Sequence, residues 1–440
     1  MTNEDRYGGF TPRRATKFYI PLLLQAFSQS LTYPLVAAIV THGPLGVQTL
    51  TAYAQGQCAM FMISALGGGL VMTGMVFAKT RSGYHAFIQL NTWMMVVLLA
   101  AQALLAVPPF DSLLFRTLLN LPPDLAVIAR NTLLGGIFMQ AAFFLRNVPL
   151  VILFNARASF EANLATMIRI AITAATPYFF IKFGWTGALW GLTATTIPCF
   201  IEFFLTHLFA RRYVRELPDT PPDTSASPLD QFRFTTPLAF GSFLLAAAPL
   251  VVATFVGRTA GAVSMLAIHY VTMGLANPVA YGALRMQPVA IQFPPEYRGD
   301  HRMIHFAVCC GLVLGLIPLV AAIPSVGNWY FHVVQNVPVA DLWMPRTLMC
   351  CFAVWPVLQC VRGEIEGYAA WCQRPSAVLA GQITHLLVLT GVLALSLALG
   401  MPGWLMGFTA ILTATASTIL AIQTSLRRNP PAQLFKKVTT

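Results

Sequence analysis

The chain has 440 residues, is 57% hydrophobic and only 10% charged, and carries a formal net charge of +12. A water-soluble domain keeps about a quarter of its residues charged, and the mean hydropathy of +0.67 likewise assigns this chain to lipid. Lys and Arg sit at the ends of apolar runs and not in one cluster, which excludes the basic patch of a nucleic-acid-binding protein. The eight cysteines lie in or beside apolar segments with neither zinc nor disulfide spacing, and read as small packing residues.

A membrane-spanning helix needs about 20 mostly apolar residues. By that rule about twelve spans are expected, near 18–41, 48–78, 84–107, 126–152, 160–181, 186–210, 236–257, 263–292, 303–323, 340–365, 376–399 and 402–425. The first run exceeds the roughly 7–15 apolar residues of a signal peptide, so it is expected to stay as a helix. The Pro- and Asp-bearing stretch 211–235 is the one clearly hydrophilic linker. It divides six helices (residues 1–210) from six (236–426), and a basic tail follows at 427–440. Eighteen Lys and Arg fall on one side of the predicted topology and five on the other. The positive-inside rule then puts both termini and the linker in the cytoplasm. The localisation expected is the cytoplasmic (inner) membrane, multi-pass.

The two halves echo each other. Pro34-Leu-Val-Ala-Ala with Gly46 returns as Pro249-Leu-Val-Val-Ala with Gly261, 215 residues on. Gly187-Ala-Leu-Trp-Gly191 returns as Gly403-Trp-Leu-Met-Gly407 at an offset of 216, and Arg130 as Arg346. The fold class expected is therefore all-α integral membrane, two parallel six-helix repeats forming lobes around a central cleft. Pro34, Pro249, Pro278, Pro288 and Pro356 are the expected bending points.

Charged side chains at bilayer depth cost roughly 2.5–3.5 kcal/mol on insertion scales, so they read first as functional. Arg146 and Arg362 lie about 16 Å and 18 Å along their helices from the next arginine, near the midplane. They are repeat mates, 216 apart, and a guanidinium fork suits phosphate or carboxylate. Glu366 is four residues after Arg362, so an intrahelical pair and an anion contact are both open to Arg362. Glu364 and Glu366 are candidates for carrying a coupling ion, H+ or Na+. Arg169 and Glu202 sit at equal depth on the fifth and sixth helices and are expected to form a structural ion pair. Arg285 either snorkels to the interface or lines a cavity. Gln25, Gln29, Tyr53, Gln57, Tyr270, Asn277 and Tyr281 form polar stripes expected to line the solute path, with interhelical hydrogen bonding as the plainer alternative.

This 6+6 plan, with Pro-bearing first and seventh helices and G-x-x-x-G opening the sixth and twelfth, resembles the MOP flippase superfamily. That superfamily includes the MATE exporters and the polysaccharide-lipid flippases. A narrower similarity, to the progressive ankylosis (ANK) transporter branch, rests on several short motifs. These are Tyr53 with Gly74-Met-Val-Phe77, Val361-Arg362 with Gly367, and Pro237-Leu-Ala with Phe255-Val-Gly-Arg258 and Gly261. The resemblance implies a secondary active transporter working by alternating access. For the ANK branch it implies export of pyrophosphate-, nucleotide- or citrate-like anions. The alternatives are a lipid or polysaccharide-lipid flippase, a MATE-type multidrug/cation antiporter, and a non-transporting membrane scaffold. The first, seventh and eighth spans lack Asp and Glu, which counts against the cation antiporter. There is no P-loop, H-E-x-x-H or triad spacing, so no enzyme and no cofactor is expected. The partners expected are the anionic solute, the bilayer and the coupling ion, with no nucleic acid and a monomeric chain.

Overall fold

Proline decides where two of the long apolar runs break. A proline ring clashes with the carbonyl four residues before it and offers no N–H. Pro288 and Pro356 would meet the carbonyls of Leu284 and Phe352, and those are the last residues of the helices that precede them. The structure, a computed structural model, describes residues 9–43, 47–118, 121–219, 227–260, 262–297, 299–334 and 337–428. Its helices in chain order are α1 (Pro12–Thr41), α2 (Val47–Ala65), α3 (Leu70–Phe77), α4 (Arg81–Leu105), α5 (Pro123–Asn155), α6 (Ser159–Lys182), α7 (Ala188–Arg215), α8 (Pro228–Val256), α9 (Ala262–Leu284), α10 (Met286–Gln292), α11 (Arg302–Ala322), α12 (Pro324–Asn328), α13 (Trp343–Phe352), α14 (Trp355–Trp371), α15 (Pro375–Ala398) and α16 (Gly403–Arg428). Among the described residues ten segments are long and apolar enough to cross a membrane, and α1 and α9 occupy the remaining two expected spans. Among the described residues there is no strand.

The second expected span is also broken, and by a different cause. Gly67, Gly68 and Gly69 separate α2 from α3. A Cβ at Gly69 would lie 2.5 Å from Leu238 Cβ, and one at Gly68 2.6 Å from Ser242 Oγ. Only glycine lets α8 come this close to the turn. By contrast, Pro34, Pro249 and Pro278, expected as bending points, lie inside helices that run on without a break. Gly46 and Gly261 of the echoing motif fall outside the described residues.

The chain forms two compact units, Ser28–Phe243 and Met1–Phe27 with Leu244–Thr440. α1 and α8 each contribute one part to each unit. In the first unit the start of α8 is fastened by Thr73 Oγ1 to Thr235 Oγ1 at 2.7 Å and by Gln231 Nε2 donating to the Gly83 carbonyl at 3.1 Å. The core there gathers on α5, with Phe87, Leu133, Phe144 and Val151 fully buried. In the second unit the start of α1 is fastened by the Tyr19 hydroxyl donating to the Gly282 carbonyl at 3.1 Å. Its core gathers on α13–α16, around Phe352, Leu389, Leu393 and Met406. Outward faces carry Val96, Phe138, Leu316 and Leu387 while Glu202 and Arg362 are buried. This inversion of the soluble pattern is what a lipid solvent imposes.

The duplication is written in the backbone as well as in the residues. α6 and α15 begin and end 216 residues apart. The two non-glycine residues with positive φ among the described residues, Arg157 (55°) and Gln373 (56°), are 216 apart, as are Gly184 (72°) and Gly400 (67°). Each follows a long helix and closes it with a six-residue hydrogen bond: Ala158 N to Leu153 O at 2.7 Å, and Arg374 N to Ala369 O at 2.8 Å. An offset of 216 therefore maps one repeat onto the other in its fourth to sixth helices.

Candidate functional site

Glu202 on α7 is fully buried, and a bare carboxylate there would be too costly to keep. Two arginines answer it. Arg146 on α5 donates from Nη1 to Glu202 Oε2 at 2.8 Å. Arg169 on α6, expected to pair with Glu202, stands with Nε 3.1 Å from the same oxygen. Thr166 Oγ1 donates to the other oxygen, Oε1. The Phe143 ring lies under both guanidinium groups, 4.9 Å from Arg146 Cζ and 6.0 Å from Arg169 Cζ. Two cations thus share one anion, and the buried cluster keeps one net positive charge. Arg146 Nε is buried without a hydrogen-bond partner. Arg146, expected to face a solute, is therefore largely committed to Glu202.

The second unit holds a different cluster. Trp355, Gln359, Arg362 and Glu366 recur at intervals of four, three and four along α14 and so share one face. Arg362 Nε donates to Glu366 Oε1 at 2.8 Å, the intrahelical pair that the spacing allows. Gln287, just inside α10, donates to Glu366 Oε2 at 3.2 Å. Arg362 is 3% exposed, and its Nη2 has no partner. Gln359 Oε1, Gln382 Oε1 and Trp355 Nε1 are orphaned in the same way. His385 on α15 lies within electrostatic reach of Arg362, and its Nδ1 is 3.1 Å from Thr418 Oγ1 on α16. Each buried unmatched polar group costs about 1–3 kcal/mol unless a water or a solute meets it.

The offset of 216 relates the two clusters. It carries Arg146 to Arg362, Thr166 to Gln382, Arg169 to His385 and Glu202 to Thr418. One site has been written twice. In the first copy its acid comes from a neighbouring helix. In the second that acid has become Thr418, and Glu366, whose mate is Leu150, serves from Arg362's own helix.

The other expected residues are scattered. Glu364 lines a cavity of about 300 Å3 with Tyr297, Asp300, His301 and Tyr368 at one end of the second unit. Asp300, in the loop before α11, is held down at about 2 by its hydrogen bond from Arg302. Arg285 is the half-buried joint between α9 and α10. Tyr53 is buried among Val36, Val40 and Leu192, and its hydroxyl accepts from Gln57 Nε2 at 2.7 Å. Gln25 is buried, Asn277 half-buried and Tyr281 exposed. The side chains of Gln29 and Tyr270 lie outside the described ones. The cluster residues Thr166, Gln382, His385 and Thr418 were missed from sequence. The repeat offset applied to Arg169 and Glu202 points to His385 and Thr418, whereas Thr166 and its mate Gln382 carry no sequence signal and enter only through the contact with Glu202.

No family model matches the chain, and no curated protein does. Solved structures do. It is similar to a MATE protein crystallised in a bent conformation (TM-score 0.75, 16% identity, 100% of both chains covered). It is similar to an outward-facing multidrug resistance MATE family transporter of the MOP superfamily (0.74, 16%, covering 100% of this chain and 99% of that one). A third is a MOP superfamily transporter from Pyrococcus furiosus, for which reversed polarity of the binding pocket suggests a different function (0.72, 15%, 100% and 99%). At such identities the likeness establishes the fold: this is the twelve-helix MATE architecture.

Proposed function

We propose that the chain is a secondary transporter that exports a small anionic solute by alternating access, with residues 1–210 and 236–426 as its two six-helix halves. The MATE-type fold supports transport. The observation that carries the anionic reading is Arg362: a buried guanidinium with one donor unfilled, one turn from the orphaned Gln359 amide and within electrostatic reach of His385. A phosphate or carboxylate would satisfy that donor and compete with Glu366 for the rest of the fork. Within the other unit, the cluster of Arg146, Arg169 and Glu202 also carries a surplus positive charge. Pyrophosphate-, nucleotide- or citrate-like solutes fit this chemistry, and the short motifs shared with the ANK branch point the same way. The inner membrane, with cytoplasmic termini, is the location that fits the distribution of basic residues. Glu364, in its cavity, is the group best placed to exchange a coupling H+ or Na+.

The test is flux in proteoliposomes loaded with pyrophosphate, citrate or nucleotides. Losing charge-assisted hydrogen bonds worth about 1.5–3 kcal/mol makes Arg362→Ala at least tenfold slower than wild type. Wild-type flux of the same anion in a correctly inserted Arg362→Ala protein defeats the proposal. A second reading has its own observation. The Glu364 cavity pairs a carboxylate with the rings of Tyr297 and Tyr368, a setting suited to an organic cation. Under that reading Glu364→Gln abolishes cation efflux and Arg362→Ala does not.

A further inference from the structure

The last two turns of α7 and the first two of α6 line an open groove of about 520 Å3 that the transport reading leaves unused. It is lined by Glu161 and Leu164 from α6 and by Leu208, Arg211, Arg212 and Arg215 from α7. Positions 208, 211, 212 and 215 share one helix face. Three cations therefore look into one groove that holds a single acid.

That acid is already engaged. Glu161 pairs with Arg212 and accepts from the Tyr213 hydroxyl at 3.0 Å. The Arg212 guanidinium is oriented by the Tyr213 ring, 4.7 Å from its centroid, and by the Tyr213 hydroxyl at 2.7 Å. Arg211 and Arg215 make no ion pair or hydrogen bond among the described residues. They stand four apart on one face, where like charges repel. Glu216 and Asp219 do not line the groove, and Asp219 pairs with Arg81 at 3.0 Å. Arginines at a helix C-terminus commonly answer its last carbonyls. That accounts for basic residues at this end, but not for the apolar wall beside them. Leu164 and Leu208 are 40% and 56% exposed, and Phe204, one turn further along α7, is 64% exposed. A cationic mouth that continues into an apolar strip along the helix matches a charged headgroup with an acyl chain below it.

We infer that this groove binds the phosphate headgroup of an anionic phospholipid of the leaflet at this end of the helices. The inference is independent of the transported solute. Arg211 and Arg215 grip the phosphate, Arg212 is held ready beside them, and Leu164, Leu208 and Phe204 receive the first part of an acyl chain. A soluble anion would use the arginines but gain nothing from the apolar strip.

Native mass spectrometry of the purified full chain, titrated with phosphatidylglycerol or phosphatidylcholine, tests it. Wild type should retain phosphatidylglycerol in preference. The double variant Arg211→Gln/Arg215→Gln should bind it about thirtyfold more weakly, the equivalent of about 1 kcal/mol per arginine. Leu208→Gln keeps every charge and should still weaken lipid binding, and Arg233→Gln should change nothing. Unchanged thermal unfolding of the variants in phosphatidylcholine shows that they are folded. Equal retention of the two lipids, or wild-type affinity in both the double variant and Leu208→Gln, overturns the inference. Displacement of phosphatidylglycerol by an equal concentration of inorganic phosphate overturns it too, because the site then reads a free anion.

Discussion

Replacing Glu202 by threonine writes the second copy's residue into the first, and the structure says what that costs. At an effective dielectric of about 20, attraction across the 2.8 Å contact with Arg146 is about 6 kcal/mol. Desolvation of the charges offsets much of it. Removing one member of a buried ion pair still costs about 3–5 kcal/mol, because the partner charge is left behind. Here two guanidinium groups are left behind, both over the Phe143 ring. Glu202→Thr should therefore be among the most destabilising single changes in the chain, by about 3–5 kcal/mol. Adding Arg169→His restores the original net charge, if the buried imidazole stays neutral, and reproduces the His385–Thr418 arrangement. The double variant should recover at least half of the loss. Equilibrium unfolding in mixed micelles, followed by intrinsic fluorescence, measures both. If Glu202→Thr is as stable as wild type, or the double variant no better than the single, the cluster is not held together by its charge balance.

Two further outcomes follow from local geometry. Gln373 is exposed and holds φ at 56°, a conformation that costs a side-chain-bearing residue about 1–2 kcal/mol. Gln373→Gly should therefore stabilise the protein by about 1 kcal/mol, read from the same unfolding curves, and a loss of stability would show that the side chain makes up the strain. In the loop before α11 the folded carboxyl of Asp300 sits at about 2, below its ordinary 3.8. A depressed carboxyl stabilises the fold above its unfolded value, and that stability is lost as pH falls through the folded value. The ties of Asp300 to Arg302 should accordingly survive at pH 5 and weaken between about 4 and 2. Asp300→Asn should remove that acid-side loss, and an unchanged acid profile in the variant would assign the loss to other carboxylates.

The sequence carried the architecture because lipid simplifies it. Every apolar run of about 20 residues must be a helix, so the spans and the repeat could be read from residue types alone. The breaks were half legible. Pro288 and Pro356 announced two of them, whereas Pro34, Pro249 and Pro278 are absorbed within helices and Gly67–Gly69 break the second span. A proline allows a helix to break; whether the break occurs depends on what packs alongside. Partners across helices were hardest. Arg169 and Glu202 were matched because their helices are consecutive in the chain. Sequence offers Arg146 no such partner because α5 and α7 are not consecutive, yet α5 runs along α7 and brings Arg146 to Glu202. Depth along a helix can be counted, but which helix faces which is a property of the packed fold.

The two copies also differ in how readily an incoming anion could exchange into them. In the first, Glu202 is gripped by Arg146, Arg169 and Thr166, from two other helices. Displacing it breaks all three contacts at once and strands a buried carboxylate. In the second, Glu366 is bound to Arg362 one turn away on the same helix and also to Gln287. An anion that took Arg362 would leave Glu366 with the Gln287 amide, and Arg362 already has a donor to spare in Nη2. Exchange is therefore cheaper in the second copy. Under the proposed function, Arg362 variants should lose flux while remaining folded, and Arg146 variants should lose stability first. Separate measurement of insertion and flux for Arg146→Gln and Arg362→Gln distinguishes them. Equal flux loss in two equally stable proteins would return both arginines to the same role.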